Sequence, residues 1–252
     1  MQHDRQPLLA DLIARVAKAD RRAFDELYET TSARLNALCL SILKDRREAE
    51  ETLEQAYIGI WNDAGRYRES GLSPMAWLVT QARDRAVDRL RGLPGPVPAG
   101  AGHKRGGGGL DLVRIAYLEG LDYSLLGQRL GISADEARHA LHEGLERLAG
   151  HAADEGVSFA TAEQALALRE GEPQDQAQLA DWKERLAGFA GDLTPVMAPA
   201  RARQRIRESL GHGVAPLSVD PLERRSWWRG PWGVVAILLV AALAWYFWMG
   251  QG

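Results

Sequence analysis

DRREAEETLEQAYIGIW (45–61), NDAGRYRESGLS (62–73) and PMAWLVTQARDRAVDRLR (74–91) follow one another without a break, and their reading decides the fold. The first string is a helix by its period. Leu53, Tyr57, Ile60 and Trp61 fall on one face and Glu50, Glu51 and Glu54 on the other. The middle string is a polar turn. The third restarts a helix at Ser73-Pro74, with Ser as the cap and Pro in the first turn. Trp77 lies near its start. Arg83, Arg85, Arg89 and Arg91 then fall within nine residues against only Asp84 and Asp88. A basic helical strip beside an aromatic-bearing loop suits a polyanion whose bases can be splayed and stacked. The bland alternative is a solvated face, with those arginines paired to Asp84 and Asp88.

Working outward, PLLADLIARVAK (7–18) places Leu8, Leu9, Leu12, Ile13 and Val16 on one face. Asp20 is the expected N-cap of a longer helix over 21–44, where Ala23, Phe24, Leu27 and Tyr28 begin an apolar stripe. Cys39, in the apolar run LNALCLSIL, is expected to be core. The first 92 residues therefore predict an all-α, four-helix domain.

The same residues resemble the second conserved region of extracytoplasmic-function (ECF) sigma factors, small bacterial promoter-recognition subunits. That family shows A-E-D-x-x-Q-E-x-F-x-x-x-W and then W-L-x-x-I-A-R-N-x-x-I-D-x-L-R. Ala49, Glu50 and Trp61 match the first string; Trp77, Leu78, Ala82, Arg83, Asp88, Leu90 and Arg91 match the second. Glu51 replaces Asp, Glu54 and Gln55 are exchanged, Tyr57 stands for Phe and Asp84 for Asn. The resemblance implies a polymerase-docking face at Glu50, Glu51, Glu54 and Gln55. It implies contacts to the −10 promoter strand from Arg66, Tyr67, Arg68, Ser70, Gln81, Arg83, Asp84, Arg85, Arg89 and Arg91.

Residues 93–109 are dominated by Gly and Pro and read as a flexible linker. From 110 to 150, LEGLDYSLLGQRLGIS followed by a helix is a helix-turn-helix pattern. Gly131 supplies the left-handed turn, Ile132 is expected to plug the core, and Ser133 caps the second helix. The pattern resembles the fourth conserved region of the same family, which implies DNA contacts from Ser133, Arg138, His139, His142 and Arg147. The second helix, however, carries Asp135, Glu136, Glu143 and Glu146 against Arg138 and Arg147. Phosphate neutralisation supplies much of a recognition helix's affinity. DNA binding and a protein-docking surface both stay open for this module.

Residues 151–212 read as three helices, at about 159–170, 174–190 and 198–210. Trp182, Leu186 and Phe189 make one stripe. Three short helices bury little by themselves, so they need a partner surface. Trp182, Glu184, Arg185, Leu186, Pro195, Val196, Pro199, Arg205 and Ile206 resemble the cytoplasmic part of the anti-sigma-K factor family. The resemblance implies an anti-sigma interface at Trp182, Arg185, Leu186, Phe189 and Ile206. After a second linker at 213–230, PWGVVAILLVAALAWYFWM (231–249) is uncharged and flanked by tryptophans. That predicts a transmembrane helix and an inner-membrane protein with its N-terminus in the cytoplasm.

Composition bounds the rest. A net charge of −3 restricts any nucleic-acid site to a local patch. One cysteine excludes an intrachain disulfide and a His-Cys-Cys zinc site. No metal centre, cofactor or catalytic constellation is expected. The expected function is that of a membrane-tethered ECF-type sigma factor fused to its own anti-sigma module. Its partners would be core RNA polymerase, promoter DNA and the inner membrane, with the sigma/anti-sigma contact made within one chain or between two. The alternative is a degenerate, membrane-anchored, sigma-like interaction protein that does not open promoters.

Overall fold

The computed structural model describes residues 5–93, 108–150, 159–171 and 175–211. The chain divides into two units, 1–212 and 213–252, and all described residues lie in the first. They are helical throughout, with turns between.

Helix α1 (Arg5–Val16) buries Leu9, Leu12, Ile13 and Val16. Leu8, expected on that face, is 44% exposed, because it sits one position off the stripe that meets α2. Asp20 caps α2 (Arg21–Leu43), accepting from the backbone N–H groups of Arg22 at 2.9 Å and Ala23 at 3.1 Å. Asp45 caps α3 (Arg46–Asp63) in the same way, and a 3₁₀ turn over 64–70 leads on to Ser73. Ser73 then caps α4 (Pro74–Gly92), with Pro74 in the first turn. α2, α3 and α4 pack mutually, with α1 against α2 and α4. Their core holds Phe24, Leu35, Leu53, Tyr57, Ile60 and Trp77, and Cys39 is fully buried. Inside it Thr31 Oγ1 lies 2.7 Å from the Tyr57 hydroxyl and donates to the Leu27 carbonyl at 2.6 Å.

Helices α5 (Gly109–Glu119), α6 (Tyr123–Leu130) and α7 (Ala134–Ala149) form the expected helix-turn-helix. Gly131 takes the left-handed conformation at φ 71°, and Ser133 and Glu136 make a capping box. Ile132 does not plug the core. It is 37% exposed, since its carbonyl rather than its side chain turns inward, against Gly127. α5 crosses α7 at two glycines so closely that a Cβ on Gly144 would lie 2.0 Å from the Gly109 carbonyl oxygen.

The C-terminal segment adds α8 (Phe159–Ala165), α9 (Gln176–Ala187) running into a 3₁₀ turn over 188–192, and α10 (Ala200–Ser209). α9 lies against α4 and α8, while α10 lies against α3. One continuous set of buried residues runs from Leu9 through Tyr117 and Trp182 to Ile206. The stretches read from sequence as separate domains therefore share an apolar interior.

The expectation of a transmembrane helix, and with it an inner-membrane location with a cytoplasmic N-terminus, is corrected here. Among the described residues no helix is long and apolar enough to cross a membrane. The longest, α2, carries Arg21, Arg22, Asp25, Glu26, Glu29 and Arg34 in its first fourteen residues. Residues 231–249, on which that expectation rested, lie outside the described residues.

Candidate functional surfaces

The acidic face of α3 is covered by α10. Glu50 is 2% exposed. Its carboxylate accepts from Arg201 Nε and Nη2, both at 2.5 Å, and from Arg205 Nη2 at 2.6 Å. Arg205 also pairs with Glu54. The next stripe of α10 grips α2: Arg203 donates to Glu29 at 2.6 Å, and Arg207 meets Asp25 with a two-point fork at 3.0 and 2.5 Å. Hydrogen bonds from Arg201 hold the Glu50 carboxyl below the ordinary carboxylate value, whereas burial pushes Glu54 up. Glu51 is outside this contact, paired with Arg47 at 3.0 Å, and Gln55 is exposed. The expected docking face is thus half covered.

The arginine face of α4 is engaged as well. Arg83 is 1% exposed. Its Nε donates to the Tyr117 carbonyl at 3.1 Å and its Nη2 to the Leu166 carbonyl at 2.9 Å, with the guanidinium carbon 4.4 Å from the Tyr117 ring centre. Arg91 donates to the Ala167 carbonyl. Arg85 fills the space beside Gly59 that a side chain there would take, and donates to Gln81, reaching its side-chain oxygen at 2.8 Å. Arg89 donates to Glu48 at 2.5 Å, and Asp84 is 3.7 Å from Lys183. In the preceding loop Arg66 and Arg68 are exposed, Tyr67 packs edge-on to Trp77 at 5.5 Å, and the Ser70 hydroxyl donates to the Tyr67 carbonyl at 2.6 Å. The loop's end is held by α9: the Ser73 N–H and hydroxyl donate to Glu184 at 2.9 and 2.6 Å.

The face of α7 carrying the expected DNA-contact residues is partly occupied by α8. The His142 ring stacks on Phe159 at 4.3 Å, and its Nε2 is 2.9 Å from a Glu163 oxygen that also accepts from the Tyr123 hydroxyl at 2.5 Å. Arg138 sits 4.8 Å over the Tyr123 ring. Ser133 and His139 are exposed, and Arg147 pairs with Glu143 at 2.5 Å. Of the expected anti-sigma interface, Trp182, Leu186 and Ile206 are buried, and the Phe189 ring lies 6.3 Å from that of Tyr117. Arg185 caps α7, donating to the Leu148 and Ala149 carbonyls at 3.2 and 3.1 Å.

Arg201, Arg203, Arg207 and Glu163 were missed from the sequence, and Glu184 and Arg205 entered only through the family resemblance, with no contact assigned to them. The α10 signal was present as spacing. Arg201 and Arg205, Arg203 and Arg207, Glu50 and Glu54, and Asp25 and Glu29 are all pairs four residues apart. A helix that presents cations at that interval matches helices that present acids at the same interval. Among the described residues, no cluster of three or more His, Cys, Asp or Glu could hold a metal ion.

Residues 27–93, which contribute the acidic face, the loop and the α4 arginines, match the family model described as Sigma-70 region 2. Over 80 residues the chain is 42% identical to the ECF RNA polymerase sigma factor SigK of Mycobacterium sp. (strain KMS), covering 32% of this chain and 42% of that one. It is 40% identical over 80 residues to the proteins of the same description from Mycobacterium bovis (strain BCG / Pasteur 1173P2) and Mycobacterium tuberculosis (strain ATCC 25618 / H37Rv), covering 32% of this chain and 43% of each. The chain thus matches less than half the length of these relatives.

Proposed function

We propose that this chain is an ECF-type sigma factor whose helices α8–α10 act as a built-in anti-sigma module. In this reading the bundle α1–α4 binds core RNA polymerase through the acidic face of α3. It contacts the melted −10 strand through the 66–73 loop and α4. The single observation that carries the reading is α10, whose four arginines each meet a carboxylate of α2 or α3, with Glu50 buried beneath two of them. Polymerase and α10 would need the same surface, so the arrangement described is a closed, inactive one. The SigK relatives of the N-terminal region and the anti-sigma-K resemblance of the C-terminal region point to the same pairing. A module on the same chain meets its target at an effective concentration of about millimolar, so a weak interface suffices.

A second reading keeps the docking but drops promoter opening. It is favoured by α7, whose Asp135, Glu136, Glu143 and Glu146 are all exposed, a face that repels phosphates. One experiment separates the two. The full chain bearing R201E with R205E is mixed with core polymerase and promoter DNA. The first reading expects at least tenfold tighter polymerase binding than the native chain, with open complexes. Tighter binding without open complexes selects the second. Unchanged, absent binding in both chains sinks both.

A further inference from the structure

The α4 arginines are held in an unusual way. A helix built to occupy a cationic face is expected to use carboxylates, as α2 and α3 do toward α10. α8 uses none on Arg83 and Arg91. Its C-terminal end closes with the N–H of Leu168 on the Glu163 carbonyl at 2.7 Å and that of Ala167 on the Gln164 carbonyl at 2.9 Å. This is the two-bond Schellman ending, and it requires a left-handed residue. Here that residue is an alanine, Ala167, at φ 58°. The ending turns the next two carbonyls outward, and both are taken: Leu166 by Arg83 and Ala167 by Arg91. Arg83 also takes the Tyr117 carbonyl, in the last turn of α5. Two helix C-termini, each with partial negative charge, therefore converge on one buried guanidinium.

We propose that the C-terminal end of α8 is a backbone decoy for a nucleic-acid phosphate, which withdraws Arg83 from the strand-facing surface, ties the exposed Arg91 to the same helix end, and pins α4, α5 and α8 at a single point. The inference rests on the reading of α4 as a strand-contact helix and adds the group that competes for it. Carbonyl oxygens at a helix end carry only fractional charge, and a phosphate carries a full one. A strand that reaches α4 is therefore the stronger acceptor once Arg83 is uncovered. The closed arrangement is then held by geometry and burial rather than by the strength of the ion contact. The two-carbonyl clasp uses Nε and Nη2 and leaves Arg83 Nη1 buried without a hydrogen-bond partner. Asp84, 4.0 Å from that nitrogen and half exposed, does not fill the role.

The test is amide hydrogen exchange on the full chain, read over 110–119 (α5), 159–168 (α8) and 46–63 (α3). R83A is expected to raise exchange at least tenfold in both α5 and α8 with α3 unchanged, R91A in α8 alone. A167G removes the left-handed strain and is expected to slow α8 exchange about fivefold. Adding a thymidine 20-mer of single-stranded DNA to the native chain is expected to raise α8 exchange, and to have no such effect on the R83A/R91A chain. Unchanged α8 exchange in R83A, or an oligonucleotide that leaves α8 protected in the native chain, overturns the proposal. Polymerase binding is not read in this experiment. A failure of the R201E/R205E test therefore remains distinguishable from a failure here.

Discussion

α9 and α10 belong to one segment and close on one bundle, yet they hold it by different physics. α9 brings Trp182, Leu186 and Ala187, all buried, and gathers its polar contacts to the bundle toward its C-terminal end, where Lys183 faces Asp84, Glu184 takes Ser73 and Arg185 takes the end of α7. α10 buries only Ala202 and Ile206 and holds on through Arg201, Arg203, Arg205 and Arg207. Between them runs the extended stretch 193–199. It is fastened to α2 where the Val196 N–H donates to Ala33 and Asn36 donates to the Val196 carbonyl. The contrast teaches that the closed state has two separable parts. One is an apolar clamp, insensitive to ions. The other is a charged latch, whose strength depends on ionisation and screening.

Breaking the clamp should give the largest effect. Trp182→Ala empties a site 5% exposed and is expected to cost about 3–5 kcal/mol. Thermal unfolding of the full chain checks this, and a loss under 1 kcal/mol would contradict a central role for α9. Breaking the latch should cost less, because its charges return to water when α10 leaves. Glu50→Ala removes an acceptor used by two arginines and is expected to cost about 1.5–3 kcal/mol of α10 docking. Exchange at 200–209 is the readout, with α9 unchanged. If α9 loosens equally, the two parts are one.

Salt sharpens the comparison further. Raising ionic strength from about 0.1 to 1 M shortens the screening length from about 10 to 3 Å. The half-exposed pairs of Arg203, Arg205 and Arg207 should weaken, and α10 exchange should rise several-fold. The Trp182 site should hold or tighten, since burial of apolar surface does not screen. A parallel rise in α9 would show that charge, not burial, seats the whole module.

The difference between these parts also decides what the sequence could tell. The four-helix bundle was legible because its signals are local: Asp20 and Ser73 as caps, Pro74 in a first turn, and the 53–57–60–61 stripe. The helix-turn-helix was legible for the same reason, from Gly131 and Ser133. Ile132 was misread because apolarity says that a residue can be buried, not which way its turn faces. The GGGG run was read as linker throughout. Its last glycine is instead a crossing point, chosen because Gly144 of α7 passes too close for any side chain. Arg83 shows the limit most clearly. Its place in the arginine strip announces a surface cation, and only α5 and α8, both distant in sequence, make it interior. Contacts of that kind are written in pairs of segments, as the four-residue intervals of α10, α2 and α3 are, and no single segment displays them.

The smallest expected effect turns on sign. Glu50 and Glu54 lie one turn apart beneath the same arginine, and their carboxyls shift in opposite directions. Glu50 is held down by the Arg201 hydrogen bonds, so its contribution is present above the ordinary carboxylate value and is lost as pH falls through its lower, folded value. Glu54 is pushed up by burial, so its ionised form is the costly one, and taking up a proton relieves that cost as pH falls through its raised value. Acidification should therefore act on Glu54 first, and α10 should stay protected or gain slightly. Protection should collapse only lower, when Glu50 is protonated. Glu54→Gln should remove the first phase and change docking at neutral pH by under about 1 kcal/mol, because desolvation more than offsets the Arg205 attraction. A monotonic loss of protection that begins at the ordinary carboxylate value would mean that the two acids respond alike, and that burial of this face by α10 is too loose to tell them apart.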